Sequence, residues 1–320
     1  MVRYIIKRVL MLIPTVLVII LLIFILLYVL PGSRISQLPS RAGGDALDSV
    51  FDFVGAGDNL FTKYARYCYN VIFHLNFGRS STGYNALLLI GQKTRISLLL
   101  LLCGVGATVI AGVPLGVYIA RRKDQLADRI INVVSLFFSS IPVYTLAFVF
   151  LLVFAYYLKV VPVGTRISSP SAYFLPTLTI AFGGIANVAR MARSNMLETL
   201  EQPYVTGLRA KGLNESAVIY RHALKNILVP IVASLGGLIS QMLCGTFVVE
   251  HFFNVQGLGF QMLLSVGSRN HIDLLACTVI MTIILVALNI LCDILYAFIN
   301  PKIRIRIKYS GGARKPGSPE

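Results

Sequence analysis

Charged residues are scarce in this chain of 320 residues: Asp, Glu, Lys and Arg together make up 13% of it, and tryptophan is absent. Soluble domains carry about 25% charged residues, so this composition excludes an ordinary soluble protein. Hydrophobic residues account for 56% of the chain and form several uninterrupted apolar runs. Runs of ~18 residues or more identify transmembrane helices, so the sequence predicts an all-α polytopic membrane protein.

Motifs for nucleotide binding, metal binding and catalysis are also missing. No Gly-Lys dipeptide occurs, so the chain has no P-loop for ATP. The four histidines lack the spacing of metal ligands, and no Ser/His/Asp or Cys/His set stands out. We therefore expect no catalytic residue, no metal site and no cofactor in this chain.

The net charge of +16 has two interpretations, nucleic-acid binding or membrane topology. Most of the 29 Lys and Arg residues lie beside apolar runs. The positive-inside rule and anionic lipid explain that placement better than nucleic acid does. We therefore expect a lipid membrane as partner and no nucleic acid.

The apolar runs predict six transmembrane spans. Their approximate bounds are Val9 to Leu30, Ile96 to Ala120, Ile130 to Leu158, Tyr173 to Ala189, Ile227 to Val249 and Leu274 to Ile299. Pro142 is expected to kink the third span. The pair Gly112-xxx-Gly116 in the second span predicts close approach of another helix.

Basic residues orient this bundle and divide the chain into segments. They concentrate at both termini, after the second span and in the 190–226 stretch, which places those regions in the cytoplasm. The predicted segments are residues 1–32, a first span; 33–93, an extracytoplasmic loop; 94–300, a five-helix core with the loop 196–226; and 301–320, a basic, partly disordered tail. Within the outer loop, Leu60 to Phe77 is expected to form an amphipathic helix, in an extramembrane subdomain or at the membrane interface.

The stretch from Pro203 to Pro230 interrupts the apolar half of the chain with polar residues. Pro203 suits the first turn of a helix, Gly212 suits its end, and Asn214 can cap a second helix that runs into the fifth span. Two interpretations stay open for this helix pair. It is a basic loop that only fixes topology, or it is a docking element for another protein.

Carboxylates are rare in the central spans, which argues against a proton- or sodium-driven carrier. Neutral polar residues remain as candidates for a translocation path: Asn187, Ser234, Ser240 and Gln241. The alternative for each of them is a hydrogen bond between helices.

Four ordered motifs resemble one family. They are Arg3-Tyr4-Ile5-Ile6-Lys7-Arg8 with Leu30-Pro31-Gly32; Tyr204-Val205 with Arg209-Ala210-Lys211-Gly212-Leu213 and Arg221-His222-Ala223-Leu224-Lys225-Asn226; Val248-Val249-Glu250 with Gly257-Leu258-Gly259; and Asp293-Ile294-Leu295-Tyr296-Ala297 with Asn300-Pro301. The chain is similar in these segments to ABC importer permeases of the dipeptide, oligopeptide and nickel branch. One departure is Thr206-Gly207-Leu208, where the broad family has Glu-Ala-Ala.

This resemblance implies a type I ABC importer fold with a cytoplasmic coupling helix between spans four and five. The implied contacts with an ATPase subunit are Tyr204, Leu208, Arg209, Lys211, Gly212, Leu213, Arg221 and His222. The implied residues facing an extracytoplasmic binding protein are Glu250, Gly257, Gly259 and Arg269.

The resemblance also implies partners, location and substrate. Two cytoplasmic ATPases would hold ATP and Mg²⁺ and hydrolyse the nucleotide, and a second homologous permease would complete a heterodimer in the bacterial inner membrane. The implied substrates are di- or oligopeptides; nickel, glutathione or another small solute is the alternative. An ATP-independent carrier or channel, with the loop as a topology anchor, is the rival from a different class.

Overall fold

A computed structural model describes residues 2–29, 59–78, 85–159, 170–268 and 270–299. Every regular element in those ranges is helical. The helices are α1 (Val2–Val29), α2 (Leu60–His74), α3 (Ala86–Arg121), α4 (Leu126–Ser140), α5 (Val143–Tyr157), α6 (Phe174–Leu200), α7 (Pro203–Ala210), α8 (Glu215–Phe252), α9 (Leu258–Gly267) and α10 (His271–Ile299). The basic tail, Arg269 and most of the outer loop before α2 lie outside the described residues.

By length and composition, four of the described helices can cross a membrane: α3, α6, α8 and α10. Counting α4 and α5 together as one broken span gives up to five. The first predicted span falls in α1, where the described apolar stretch Ile13–Ile23 is shorter than a span. The described residues therefore support an all-helical membrane protein with four or five candidate spans, and the count of six stays a prediction.

The second span helix begins earlier than predicted. Asn85 caps α3 by accepting a hydrogen bond from the Leu87 amide, and the helix then continues for 36 residues. Residues 86–93, which were predicted to belong to the outer loop, form its first two turns. Ile90 and Ser97, on either side of the polar run from Gln92 to Arg95, are buried in the bundle.

The third span is broken at Pro142, not merely kinked. Its two halves, α4 and α5, meet at an angle of 102°. Proline lacks an amide hydrogen and pushes the preceding residue out of the helical region, and Ile141 accordingly has φ −77° and ψ 125°. The hydroxyls of Ser139 and Ser140 both donate to the Leu136 carbonyl and satisfy an acceptor in the last turn of α4.

Helix α2 packs against α1 and presents two different faces. The Tyr64 hydroxyl donates to the Leu17 carbonyl at 3.1 Å, and Tyr67 is completely buried. By contrast, Phe61 and Phe73 of the same helix are 76% and 71% exposed. A helix that bonds to a residue well inside an apolar helix and still exposes aromatic rings is typical of an interfacial segment. The predicted helix is present from Leu60 to His74, and its place in an extramembrane subdomain or at the membrane interface stays a prediction.

Helices α3 and α6 pack closely through small residues. A methyl group added at Gly112 would lie 2.9 Å from the Cβ of Val188, and one added at Gly116 would overlap the Ala189 carbonyl oxygen. The close approach predicted from Gly112-xxx-Gly116 is confirmed. This contact holds α6, which lines part of the candidate site, against α3.

We expect Gly116→Ala to destabilise the purified chain by about 1–3 kcal/mol, because the helices must separate to admit the methyl group. The matched control is Gly106→Ala on the same helix, where an added Cβ meets nothing within 4 Å. Unfolding of both variants in mixed micelles measures the difference. Equal stability of the two would show that this helix contact is not tight.

Candidate functional site

The Pro203–Asn226 segment forms the helix pair that the sequence predicted. Pro203 is the first residue of α7, and the helix ends at Ala210. Gly212 follows with φ +81°, the left-handed conformation that favours glycine after a helix. Its amide donates to the Arg209 carbonyl at 2.9 Å. These local predictions are confirmed, since each depends on residues only a few positions apart.

The second helix of the pair is continuous with a candidate span. The Asn214 side chain accepts a hydrogen bond from the Ala217 amide at 2.7 Å and so caps α8. The helix then runs for 38 residues to Phe252, through a π-helical turn at Val218–Ala223 and through Pro230. The loop and a candidate span therefore belong to one continuous helix.

Buried side chains, a hydrogen bond and an exposed ion pair hold the helix pair in place. Val205 of α7 and Val218 of α8 are completely buried. The Asn226 amide donates to the Tyr204 hydroxyl at 2.6 Å. Arg209 and Glu215 form two hydrogen bonds, of 3.1 and 2.7 Å, across the turn, and hydrogen bonding to the carboxylate raises the pKa of Arg209. Because this ion pair is exposed, it orients the turn more than it stabilises it.

The predicted partner contacts all lie on or beside this helix pair. Tyr204, Arg209, Lys211, Gly212 and Arg221 are exposed, whereas Leu208, Leu213 and His222 are half-buried. Tyr220 was not predicted, yet it is 51% exposed and its hydroxyl accepts a hydrogen bond from Arg121 at 3.3 Å. The end of the bundle that carries this pair is called the loop end below.

A cavity of about 370 Å³ lies where the broken third span meets α6 and α8. We call it the polar cavity. Its polar lining consists of Ser139, Ser140, Thr179, Asn187, Gln241 and Cys244, and none of its lining side chains among the described residues is charged. Backbone that leaves helical geometry inside a membrane is tolerated only when it is buried in protein or lines a cavity, and the Pro142 break meets that condition.

Two of the four predicted path residues line the polar cavity, namely Asn187 and Gln241. The other two do not. The Ser234 hydroxyl donates to the Ile231 carbonyl of its own helix. The Ser240 hydroxyl donates to the Gly236 carbonyl and accepts a hydrogen bond of 3.1 Å from Asn289 on α10. For Ser240 the hydrogen bond between helices, which the sequence left open as an alternative, is what the structure shows.

A buried ion pair joins α4 to α6 near the loop end. Arg193 donates to both carboxylate oxygens of Asp128, each at 2.6 Å, and the Asp128 side chain is only 3% exposed. Asn132 and the Asp124 amide also donate to this carboxylate. This ion pair was not predicted from the sequence. An aspartate just inside an apolar segment was the available signal, because such a charge needs a partner.

At the opposite end of the bundle, Glu250 organises the loop between α8 and α9. It is fully buried, and it accepts hydrogen bonds from the Ser97 hydroxyl at 2.5 Å and from the Phe260 amide at 3.1 Å. Ser97 in turn accepts a hydrogen bond of 2.7 Å from the Leu258 amide. One carboxylate thus ties α3 and α8 to the start of α9.

The predicted binding-protein contacts need correction at this loop. Glu250, Gly257 and Gly259 are all buried, so none of them presents a side chain to a partner. A methyl group at Gly257 would overlap the Glu250 carboxylate, and one at Gly259 would overlap Phe247. These glycines are needed for close packing, and Arg269 lies outside the described residues. Beside these residues the half-buried Lys93 donates a 3.1 Å hydrogen bond to the exposed Gln256.

Comparison with known proteins finds one family and a consistent set of relatives. The family described as binding-protein-dependent transport system inner membrane component matches residues 112–305, a range that includes both the polar cavity and the helix pair. The chain is 33% identical to the dipeptide transport system permease protein of Bacillus subtilis over 313 residues, which cover 96% of this chain and all of the relative.

Two further relatives bear the names of other peptide transporters. The glutathione transport system permease protein of Escherichia coli K12 is 31% identical over 310 residues, covering 96% of this chain and all of the relative. The oligopeptide transport system permease protein of Bacillus subtilis is 29% identical over 317 residues, covering 95% of this chain and 99% of the relative.

Proposed function

The chain belongs to the family of binding-protein-dependent transport system inner membrane components, and we propose that it is the permease subunit of an ATP-driven importer of di- or oligopeptides. Three of its relatives are named for dipeptides, oligopeptides and glutathione, which share a short peptide backbone. The neutral polar lining of the cavity suits such a substrate, because hydroxyl and amide groups exchange hydrogen bonds with peptide groups of any sequence.

The observation that carries this proposal is the continuity of α8. One unbroken helix connects the exposed loop to Gln241 and Cys244 in the cavity wall. At 1.5 Å per residue, Glu215 and Gln241 lie about 39 Å apart along that helix. An event at the loop can therefore reach the cavity wall through this continuous helix, which is what coupling between ATP hydrolysis and transport requires.

We assign the helix pair as the coupling element that docks on a cytoplasmic ATPase. Its exposed surface combines an aromatic residue, Tyr204, with the basic residues Arg209, Lys211 and Arg221, and its buried valines keep that surface in place. In this assignment ATP and Mg²⁺ are bound and used by two partner ATPases. Both termini of the chain then lie in the cytoplasm, as the basic residues predict.

The remaining partners follow from the same assignment. An extracytoplasmic binding protein delivers the peptide to the end of the bundle organised by Glu250. A second, homologous permease in the inner membrane completes the path as a heterodimer. The rival function, an ATP-independent carrier or channel, requires only a basic connection at the loop. It gives no reason for a folded helix pair with an aromatic residue 42% exposed.

Transport by the complete complex tests this proposal. The permease pair, the ATPases and the binding protein are reconstituted into proteoliposomes, and uptake of radiolabelled dipeptide, tripeptide and nickel is followed. We expect peptide uptake that requires both ATP and the binding protein. Uptake that is independent of ATP would favour the rival function, and ATP-driven uptake of nickel alone would correct the substrate.

A further inference from the structure

One face of α6 carries a continuous stripe of polar or small residues. Thr179, Gly183, Asn187, Arg190 and Ser194 follow one another at spacings of four, four, three and four residues, which places them on one side of a helix. The first three line the polar cavity. The last two continue the stripe beyond the cavity toward the loop end, and Ser194 is exposed there.

Arg190 is the charged member of this stripe, and its hydrogen bonding is incomplete. One terminal nitrogen donates to the Asn187 side-chain oxygen at 2.6 Å. The Nε atom is buried and has no acceptor in the described parts of the chain. Within those parts no carboxylate pairs with Arg190, whereas Arg193, three residues further on, binds Asp128 through two bonds. A half-buried guanidinium whose described partner is a neutral amide is costly to retain unless an anion joins it.

The bond to Asn187 places this charge next to the cavity wall, although Arg190 itself is not one of the lining residues. Side chains on a helix tilt toward its N-terminus, so Arg190 leans back over the preceding turn, where Asn187 lines the polar cavity. A topological role alone does not account for this arrangement. The positive-inside rule is satisfied by an exposed arginine and does not require a half-buried one.

We infer that Arg190 and Asn187 form a carboxylate-binding subsite at the loop end of the polar cavity, which receives the C-terminal carboxylate of the transported peptide. The guanidinium offers a planar fork of donors that matches a carboxylate, and the Asn187 amide orients that fork. The hydroxyl and amide groups deeper in the cavity would then form hydrogen bonds with the peptide backbone. The identity of the ligand rests on the proposed function, whereas the presence of an anion subsite rests on the geometry of α6.

The transport test compares trialanine, which has a free carboxylate, with trialanine amide. Both peptides are supplied to the reconstituted complex with wild-type chain or with Arg190→Gln, and the ratio of their uptake rates is measured at subsaturating concentration. Dividing the acid-to-amide ratio of the variant by that of the wild-type chain cancels any preference of the binding protein for one peptide, since the same binding protein is used in both. We expect Arg190→Gln to lower the acid-to-amide ratio roughly tenfold, the value of a lost charge-assisted contact. An equal loss for both peptides would show a structural role and overturn the inference.

A second measurement needs neither ATP nor the binding protein. Cys244 lines the polar cavity, and Cys103 and Cys244 are the exposed cysteines of the chain. In a Cys103→Ser background, the rate at which a maleimide labels Cys244 reports occupancy of the cavity. We expect trialanine to slow labelling more than its amide does, and Arg190→Gln to remove that difference.

The two measurements separate this inference from the proposed function. Absence of ATP-driven peptide uptake by the wild-type complex would contradict the proposed function, and the labelling experiment would still decide whether a carboxylate binds. Equal protection of Cys244 by acid and amide in the wild-type chain would overturn the inference even where peptide transport is normal.

Discussion

Replacing Gly212 by valine is expected to reduce ATP-driven uptake severely while the chain still inserts and folds. Gly212 has φ +81°, a region that a β-branched residue enters only at a cost of about 1–3 kcal/mol. An added Cβ there meets nothing within 4 Å, so the effect comes from the backbone and not from crowding. The turn must rearrange, and α7 then changes its direction relative to α8.

Retention of the ATPase during purification and uptake in proteoliposomes measure this effect. The matched control is Gly207→Ala in α7, where an added Cβ also meets nothing within 4 Å but the backbone is helical. That control should bind the ATPase and transport normally. Adding Lys211→Glu to Gly212→Val reverses an exposed charge beside the turn and should complete the loss. A doubly substituted chain that keeps the ATPase and transports at the normal rate would show that the helix pair is not the coupling element.

Replacing Arg193 by methionine is expected to destabilise the chain by about 3–5 kcal/mol, since it leaves the buried Asp128 carboxylate without its cation. Asp128 is 3% exposed and receives two 2.6 Å hydrogen bonds from this guanidinium. The double variant Asp128→Asn with Arg193→Met removes both charges and should recover most of that loss. Unfolding of the wild-type chain, Asp128→Asn, Arg193→Met and the double variant in mixed micelles gives the four free energies of a double-mutant cycle.

An exposed ion pair provides the control for this cycle. Lys123 and Glu201 are 52% and 71% exposed and lie 3.4 Å apart near the same end of the bundle. Lys123→Met should therefore change the stability very little. If Arg193→Met lowers the free energy of unfolding no more than Lys123→Met does, the buried pair does not hold α4 against α6. Apolar packing alone would then position this wall of the polar cavity.

The two arginines of α6 illustrate how position separates structural from functional charge. Arg193 faces α4 and finds a carboxylate there, which fixes one wall of the polar cavity. Arg190 lies on the face that leads into the cavity and bonds to an amide. The two arginines are about one turn apart on α6. We expect Arg193 to affect the stability of the chain and Arg190 to affect which peptides are transported.

The sequence alone determined the membrane class, the helix pair and the family. Composition excludes a soluble domain, and Pro203, Gly212 and Asn214 define the ends of α7 and the start of α8. Caps and stops of this kind depend on backbone groups within about four residues, so they can be read directly from the chain.

Only the tertiary structure decided what the buried polar residues do. Ser240 bonds to Asn289, 49 residues away, and Glu250 bonds to Ser97, 153 residues away. The break at Pro142 becomes a wall of the polar cavity only because α6 and α8 close the space around it. Burial, pairing and cavity shape depend on which distant helices meet, and the pattern along one helix does not contain that information.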